Sequence, residues 1–414
     1  MDYITFSIYW LALSMVANSL HPVILPTLVG RLVSPGLKAT YLGFLTFAGL
    51  VVAILVQPLM GGLSDRCTFR GGRRRPFILA GTLLALLFLA VIASANSYWA
   101  LLAGVLLLQF ASNTAQGPYQ ALIPDLVPEE RRGRASAAKG LSELLGGVIG
   151  TPIAAYLIHG REGNLAIGFT MLVLLVAMPI TLFAIQEEPL KKAPTEPLKI
   201  APFLGSFKVD IRSHPDFVWW LLNRFLLLMG LTGVQAFALY FIEDTFSLPS
   251  PAIATGHLTA IVGLSILIAI LPAGHLGDRL GHKPLLVIAG LGGTVGVFLL
   301  VLLLSYTKVL AAGVLIGSSF GLFISASWAL VTKLVPQKEA GRYLGLTNLA
   351  TAGGSAAARL EGPLIDFFNS RSPGQGYTAL FLVNGLFVLL STLAILKVRE
   401  SAAAQIPCSN PPRS

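Results

Sequence analysis

Four amide side chains, Gln109, Asn113, Gln116 and Gln120, stand four, three and four residues apart in the stretch QFASNTAQGPYQALIPDL (109–126). At helical spacing they share one face. Each amide both donates and accepts hydrogen bonds, and each is costly against lipid. The face therefore calls for a polar partner: a neighbouring helix, or a polyhydroxylated, uncharged ligand in a cavity. Gly117-Pro118 adds to this by removing one intrahelical bond and freeing a carbonyl in mid-helix.

Other polar groups interrupt apolar runs. Arg224, in WWLLNRFLLLMG, costs on the order of 3 kcal/mol within a span and is a functional candidate for a hydroxylated or anionic ligand. Its alternative is to snorkel to the inner interface. Gln235, three turns onward on a similar face, and Asn18 in MVANSLHPVILP complete the candidate substrate-binding set. Two groups are candidate proton carriers, Glu143 and His21. For Glu143 the competing reading is an ordinary ion pair with Lys139 at i−4, and for His21 a hydrogen-bonded packing role beside Pro22. Arg359 and Glu361 are two apart and do not face each other on a continuous helix, which leaves an outer-gate role as their only reading. Gly146 and Gly150, and the run AGGSAAA, form small-residue faces for close helix packing. The chain shows no P-loop, no metal-ligand spacing and no nucleophile elbow, so no enzyme, ATP drive, metal or cofactor is expected.

The elements that must position these residues are membrane helices. The 414 residues are 55% hydrophobic and 12% charged, with a mean hydropathy of +0.76, whereas soluble domains carry about 25% charged residues. Twelve apolar stretches are long enough to span a bilayer, about 20 residues each, centred near Ala17, Leu50, Leu84, Leu107, Ile149, Leu174, Leu228, Leu264, Leu291, Ile316, Ala352 and Leu386. The net charge of +10 is not spread evenly. Of 29 Lys and Arg, 22 fall in the segments on the side of the two termini, five on the other side, and two within spans. By the positive-inside rule both termini are expected in the cytoplasm, and the basic balance reflects topology rather than nucleic-acid binding. The start, MDYITFSIYW, lacks a basic n-region, so the first span is expected to be retained. Cys67 and Cys408 fall on the reducing side, where no disulfide is expected.

The chain repeats itself. ALIPDLVPEERRGR (121–134) returns as ALVTKLVPQKEAGR (329–342), offset by 208 residues. GGLSDRCTFRGGRRRPF (61–77) answers GHLGDRLGHKPLL (274–286), with five extra residues between Asp-Arg and Pro in the first copy. The expected division is a six-helix half over 1–186, a linker over 187–214, a second half over 215–397, and a disordered tail over 398–414.

This 6+6 pattern, with its G-x-L-x-D-R-x-G-x-K/R loops, resembles the major facilitator superfamily along nearly the whole chain. The resemblance implies that Asp65, Arg66, Arg73, Arg134, Asp278, Arg279 and Arg342 belong to a cytoplasmic gate, whose charge pairs form in one conformation and break in the other. SDRCTFRGGRRRPFI (64–78) and NTAQGPYQALIPDL (113–126) are similar to the same segments of sucrose/proton symporters. In that branch the position of Gln109 carries an Asp that takes part in proton coupling, and the position of Gln120 an Arg that contacts sugar. Both are neutral here, so the fourth span offers hydrogen bonds rather than charge.

The expected protein is an all-α, twelve-span secondary transporter in the cytoplasmic (inner) membrane. It would move a neutral, sucrose-like glycoside by alternating access as a monomer, coupled to H+, to Na+ or to no ion. Two alternatives stand beside it: an exporter of drug-like or lipid molecules, and a non-transporting pigment assembly factor. The latter is similar to the bacteriochlorophyll-delivery proteins in PDLVPEERRGR.

Overall fold

In a bilayer every backbone N–H and C=O must find its partner within the chain, and the helix does this segment by segment. The computed structural model describes residues 3–69, 71–158, 163–185, 187, 214–302, 305–335 and 340–399, and the regular elements among them are all helices, with no strand. We number the long helices α1 (Tyr3–Ser19), α2 (Lys38–Ser64), α3 (Arg75–Ala93), α4 (Tyr98–Gln120), α5 (Arg132–Leu157), α6 (Asn164–Ala184), α7 (Pro215–Ala236), α8 (Pro251–Leu280), α9 (His282–Leu302), α10 (Tyr306–Leu334), α11 (Ala340–Arg359) and α12 (Gln375–Leu396).

Among the described residues, eleven helices are long and apolar enough to cross a membrane. The exception is α11. Its sequence AGRYLGLTNLATAGGSAAAR is small and polar rather than greasy, because this helix packs on protein: a Cβ at Gly354 would lie 2.5 Å from the carbonyl oxygen of Phe225 in α7. Large apolar side chains elsewhere, among them Leu55, Phe183 and Leu271, stand exposed, as lipid-facing residues do. The chain is an integral, multi-pass membrane protein.

Helix ends follow local chemistry. Ser97 and Ser250 accept the backbone N–H of Ala100 and Ile253 at the starts of α4 and α8, the usual N-cap arrangement. Between α8 and α9, Gly281 alone makes the turn, at φ 89°, a conformation that costs glycine little.

Helices α1–α6 pack chiefly on one another, as do α7–α12. The two sets meet where α5 packs on α8 and where α2 packs on α11 and its continuation, Gly362–Asn369. The expected linker lies outside the described residues except for Glu187 and His214, and so does the tail beyond residue 399.

Candidate functional site

Helix α1 does not end regularly. It passes into a π-helical turn over Leu20–Ile24 and resumes as Leu25–Leu32. Pro22 and Pro26 supply no N–H to the ladder, and the wider π turn takes up the mismatch, a distortion common at functional sites. The turn presents Asn18 and His21 to a cavity of about 130 Å³ lined by Ala17, Asn18, His21, Pro22, Gln235 and Arg359. Helix α1 therefore meets α7 and α11 here, and the polar groups come from both helix sets.

Within this cavity the Asn18 amide is anchored by its N–H bonds to the carbonyl and hydroxyl of Ser14, at 2.9 and 3.1 Å. The Nδ1 atom of His21 is buried without a partner. Gln235 stands exposed on the cavity wall. The structure thus brings together Asn18, Gln235 and His21 from the expected sets and adds Arg359.

The amide face of α4 has a different neighbour. Asn113 is buried and donates to the backbone carbonyl of Gln109 at 2.8 Å and to its side-chain oxygen at 3.3 Å. Gln109 packs against Gly49 of α2, and Gln120 accepts from Gln57 of α2 at 2.9 Å. Gln116 is half-buried, with no hydrogen bond among the described residues. The face expected to meet a ligand is turned toward α2, and three of its amides already have partners.

Arg224 is buried inside the second set rather than snorkelling. Its Nε donates to the Thr351 hydroxyl at 2.7 Å and one terminal nitrogen to Ser327 at 3.0 Å. The rings of Trp328, Trp220 and Phe323 surround it at 4.9, 5.6 and 5.8 Å. Among the described residues no carboxylate lies within ion-pair distance. The aromatic faces supply the negative potential that offsets part of its buried charge.

Glu143 is 44% exposed and pairs with Lys139 at 3.5 Å. An exposed i,i+4 pair of this kind contributes only about 0.3–0.5 kcal/mol.

At the end carrying the arginine run, here the basic end, the charges close on themselves within α1–α6. Arg74 is 3% exposed and binds Asp65 at 2.5 Å and Asp125 at 2.9 Å. It also donates to Ser64 at 2.5 Å and to the carbonyl of Gly61 at 3.2 Å. Arg73 pairs with Asp125 at 2.7 Å, and Glu187 accepts the backbone N–H of Arg74 and Arg75. The partner of Asp65 is therefore Arg74, at the end of the longer first loop, and Arg134 is exposed. Asp278 and Arg279 are also exposed, Arg66 is half-buried, and the side chain of Arg342 lies outside the described residues.

The opposite, distal end is where the two sets touch most closely. A Cβ at Gly43 of α2 would lie 2.2 Å from the carbonyl oxygen of Arg359, and one at Gly362 would lie 2.2 Å from that of Ala39. Asp366 accepts the backbone N–H of Thr40 at 2.7 Å and of Ala39 at 3.3 Å. Lys38 pairs with Asp244 at 2.7 Å and Glu243 at 3.3 Å, and Tyr377 donates to Asp244. The hydroxyl of Tyr240 reaches the carbonyl of Pro26 at 2.8 Å. Toward the basic end, a Cβ at Gly140, Gly274 or Gly345 would meet nothing within 4 Å. The cavity therefore sits beneath a distal closure.

Sequence reasoning missed Arg74, Asp125, Asp366 and Gln57, and gave no binding role to Arg359 or Glu361. The break of α11 at Leu360 and Glu361 was the missing piece, and Gly362-Pro363 was its only signal.

The Major Facilitator Superfamily profile matches residues 1–359. The "Proton-associated sugar transporter A" of Homo sapiens is 31% identical over 41% of this chain and 27% of its own length, so the match spans about a quarter of that relative. "Multidrug resistance protein MdtG" of Citrobacter koseri is 26% identical over 96% of this chain and 97% of that protein. Among solved structures, a D-xylose-proton symporter superposes with a TM-score of 0.73 at 16% identity, covering 96% of this chain and 97% of that one. At that identity the likeness concerns the fold.

Proposed function

The chain belongs to the Major Facilitator Superfamily, a family of transporters rather than enzymes, and on that premise we propose that it moves a small neutral glycoside across the membrane by alternating access. The twelve helices act as two six-helix halves, 1–186 and 215–397, with both termini cytoplasmic in the inner membrane. The observation that carries this reading is the convergence of Asn18, His21, Gln235 and Arg359, from both halves, on one cavity beneath the distal closure. Amide, imidazole and guanidinium groups match hydroxyl groups without demanding a charge on the ligand. Substrate sites of such folds lie between the halves.

The path from that cavity runs toward the basic end, where a Cβ at Gly140, Gly274 or Gly345 would meet nothing within 4 Å. The charge cluster around Arg74 holds α2, α3 and the end of α4 together as one body that rocks as a unit. The closure made by Gly43, Gly362 and Asp366 is the part that must open. The 31% identity to a protein named a sugar transporter supports the substrate class. The end-to-end match to a multidrug resistance protein favours a second reading, extrusion of apolar drug-like molecules.

Counterflow of labelled sucrose in proteoliposomes tests the choice between them. Wild type should exchange sucrose, and Gln235→Leu and Asn18→Leu should each raise KM about tenfold, the loss of one or two hydrogen bonds. Transport of an amphipathic cation that both variants leave untouched, with no sucrose exchange by wild type, would move the assignment to drug extrusion.

A further inference from the structure

Among the described residues three buried carboxylate or amide oxygens lack a donor, and two of them, on Glu361 and Asn384, belong to one hydrogen-bonded pair. Glu361 is 7% exposed and Asn384 is fully buried. The Asn384 amide donates to Glu361 Oε2 at 2.7 Å and to the carbonyl of Leu380 at 2.9 Å. Both N–H bonds of the amide are thereby used, so its orientation is fixed. What remains is Glu361 Oε1 and Asn384 Oδ1, each buried without a partner. A pair with two orphan acceptors and no free donor is short of one hydrogen, and a proton on the carboxyl supplies it.

The pair offers few ligands to a larger cation. Both side chains lie against Gly233 of α7, where a Cβ would stand 2.5 Å from Glu361 Oε2 and 2.6 Å from Asn384 Oδ1. A hydrated or oxygen-coordinated metal ion needs about six ligands, and the pair offers two oxygens. Burying an ionised carboxylate without its full set of donors is costly, whereas a neutral carboxyl held by one amide is not.

Glu361 also occupies the place in the chain that matters for opening. It sits in the break between α11 and Gly362–Asn369. The preceding Arg359 carbonyl presses on Gly43, the following Gly362 presses on Ala39, and Asp366 holds the start of α2. We propose that the Glu361–Asn384 pair is the proton-binding site of this transporter, and that loading and unloading of its proton is linked to opening of the distal closure. The proposal rests on the transport reading above.

The proton is taken up by Glu361 when the distal face is open and given up when the cleft faces the basic end. One positive charge then moves with each neutral substrate. Arg359, two residues away on the same break, is the charged group beside it and the one that reaches the substrate cavity. Neutralising Glu361 leaves the charge of Arg359 less offset at the cavity and strengthens its hold on substrate oxygens, so proton and substrate favour each other's binding. The remaining titratable groups facing this region are His21 across the cavity and the distal cluster of Lys38, Glu243, Asp244, Asp366 and Tyr377. Helices α7 and α12 present uncharged Gly233, Gln235 and Asn384.

Two readouts test this on the reconstituted full-length protein. Glu361→Gln keeps the shape and the Asn384 bond but cannot exchange a proton. It should lose gradient-driven accumulation of labelled sucrose by about tenfold or more while sucrose counterflow, which needs no net proton movement, stays within about threefold. Glu361→Asp should recover part of the accumulation, which guards against a folding artefact. The second readout needs no substrate: infrared difference spectra should show a protonated-carboxyl band that titrates in wild type and is absent from Glu361→Gln. Accumulation by Glu361→Gln that a protonophore still abolishes would overturn the proposal, as would a wild type without that band at any pH. A wild type that moves no sucrose yet keeps the band would fault the substrate assignment and leave the proton site standing.

Discussion

Asp366 caps a helix to which it does not belong: its carboxylate accepts the backbone N–H of Thr40 at 2.7 Å, closing the start of α2 from the far side of the cleft. Helix α2 has no side-chain cap of its own, so its first amide donors depend on α7–α12 for a partner. The bond can exist only while the distal end is shut. Helix stability and conformational state are joined at one carboxylate, which also meets the positive end of the α2 dipole.

Asp366→Asn should therefore favour the distally open state. Loss of the charged cap is worth about 1–2 kcal/mol, or roughly a tenfold shift in the open-to-closed ratio. A cysteine placed at Ala17 on the cavity wall should react faster with a membrane-impermeant thiol reagent applied from the distal side. An unchanged rate would show that the cap does not govern closure.

Close backbone approach at the same closure gives a second test. Gly43→Ala places a methyl 2.2 Å from the Arg359 carbonyl, where backbone rather than a flexible side chain must yield. Transport should fall by about tenfold or more with the protein held open distally, since overpacking of this kind costs about 1–3 kcal/mol. Gly140→Ala, which would meet nothing within 4 Å, should behave as wild type in the same assay.

Much of this architecture is legible in the sequence, for a physical reason: the bilayer forces apolar, helical segments. Helix α11 is expected from the sequence as a span like the others, but among the described residues it is the long helix not apolar enough to qualify as one, because its small residues serve packing on α7. The amide face of α4 is correctly read as a face, but nothing along α4 reveals that Gln57 of α2 stands opposite it. Arg359 and Glu361 are undervalued because the i, i+2 argument assumes a continuous helix. The break at Leu360 sends one side chain into the cavity and the other into the core. Arg74 is hidden among five arginines, and of the four described it alone is nearly fully enclosed.

That arginine carries the third prediction. Arg74→Met should destabilise the protein by about 1–3 kcal/mol, because it removes the charged partner of Asp65 and one of the two partners of Asp125 and takes a donor away from the Ser64 and Gly61 acceptors. Thermal unfolding in detergent checks the size. A shift no greater than that of an exposed control such as Arg134→Met would contradict the buried cluster.

Arg224 yields a fourth. Its guanidinium is held by two hydroxyls and three rings in a geometry that an ammonium cannot reproduce. Arg224→Lys should therefore impair sucrose counterflow nearly as much as Arg224→Leu, each by about tenfold. Full activity of the lysine variant would mean that charge alone is needed at this position.

On the proposed reading, this chain carries a neutral glycoside in step with a proton held inside the second half. Uptake of labelled sucrose into proteoliposomes under an inward proton gradient, with and without a protonophore, tests it most directly. The expected result is accumulation above equilibrium that the protonophore abolishes. Absence of sucrose uptake under any gradient, with extrusion of an amphipathic cation in the same vesicles, would contradict it.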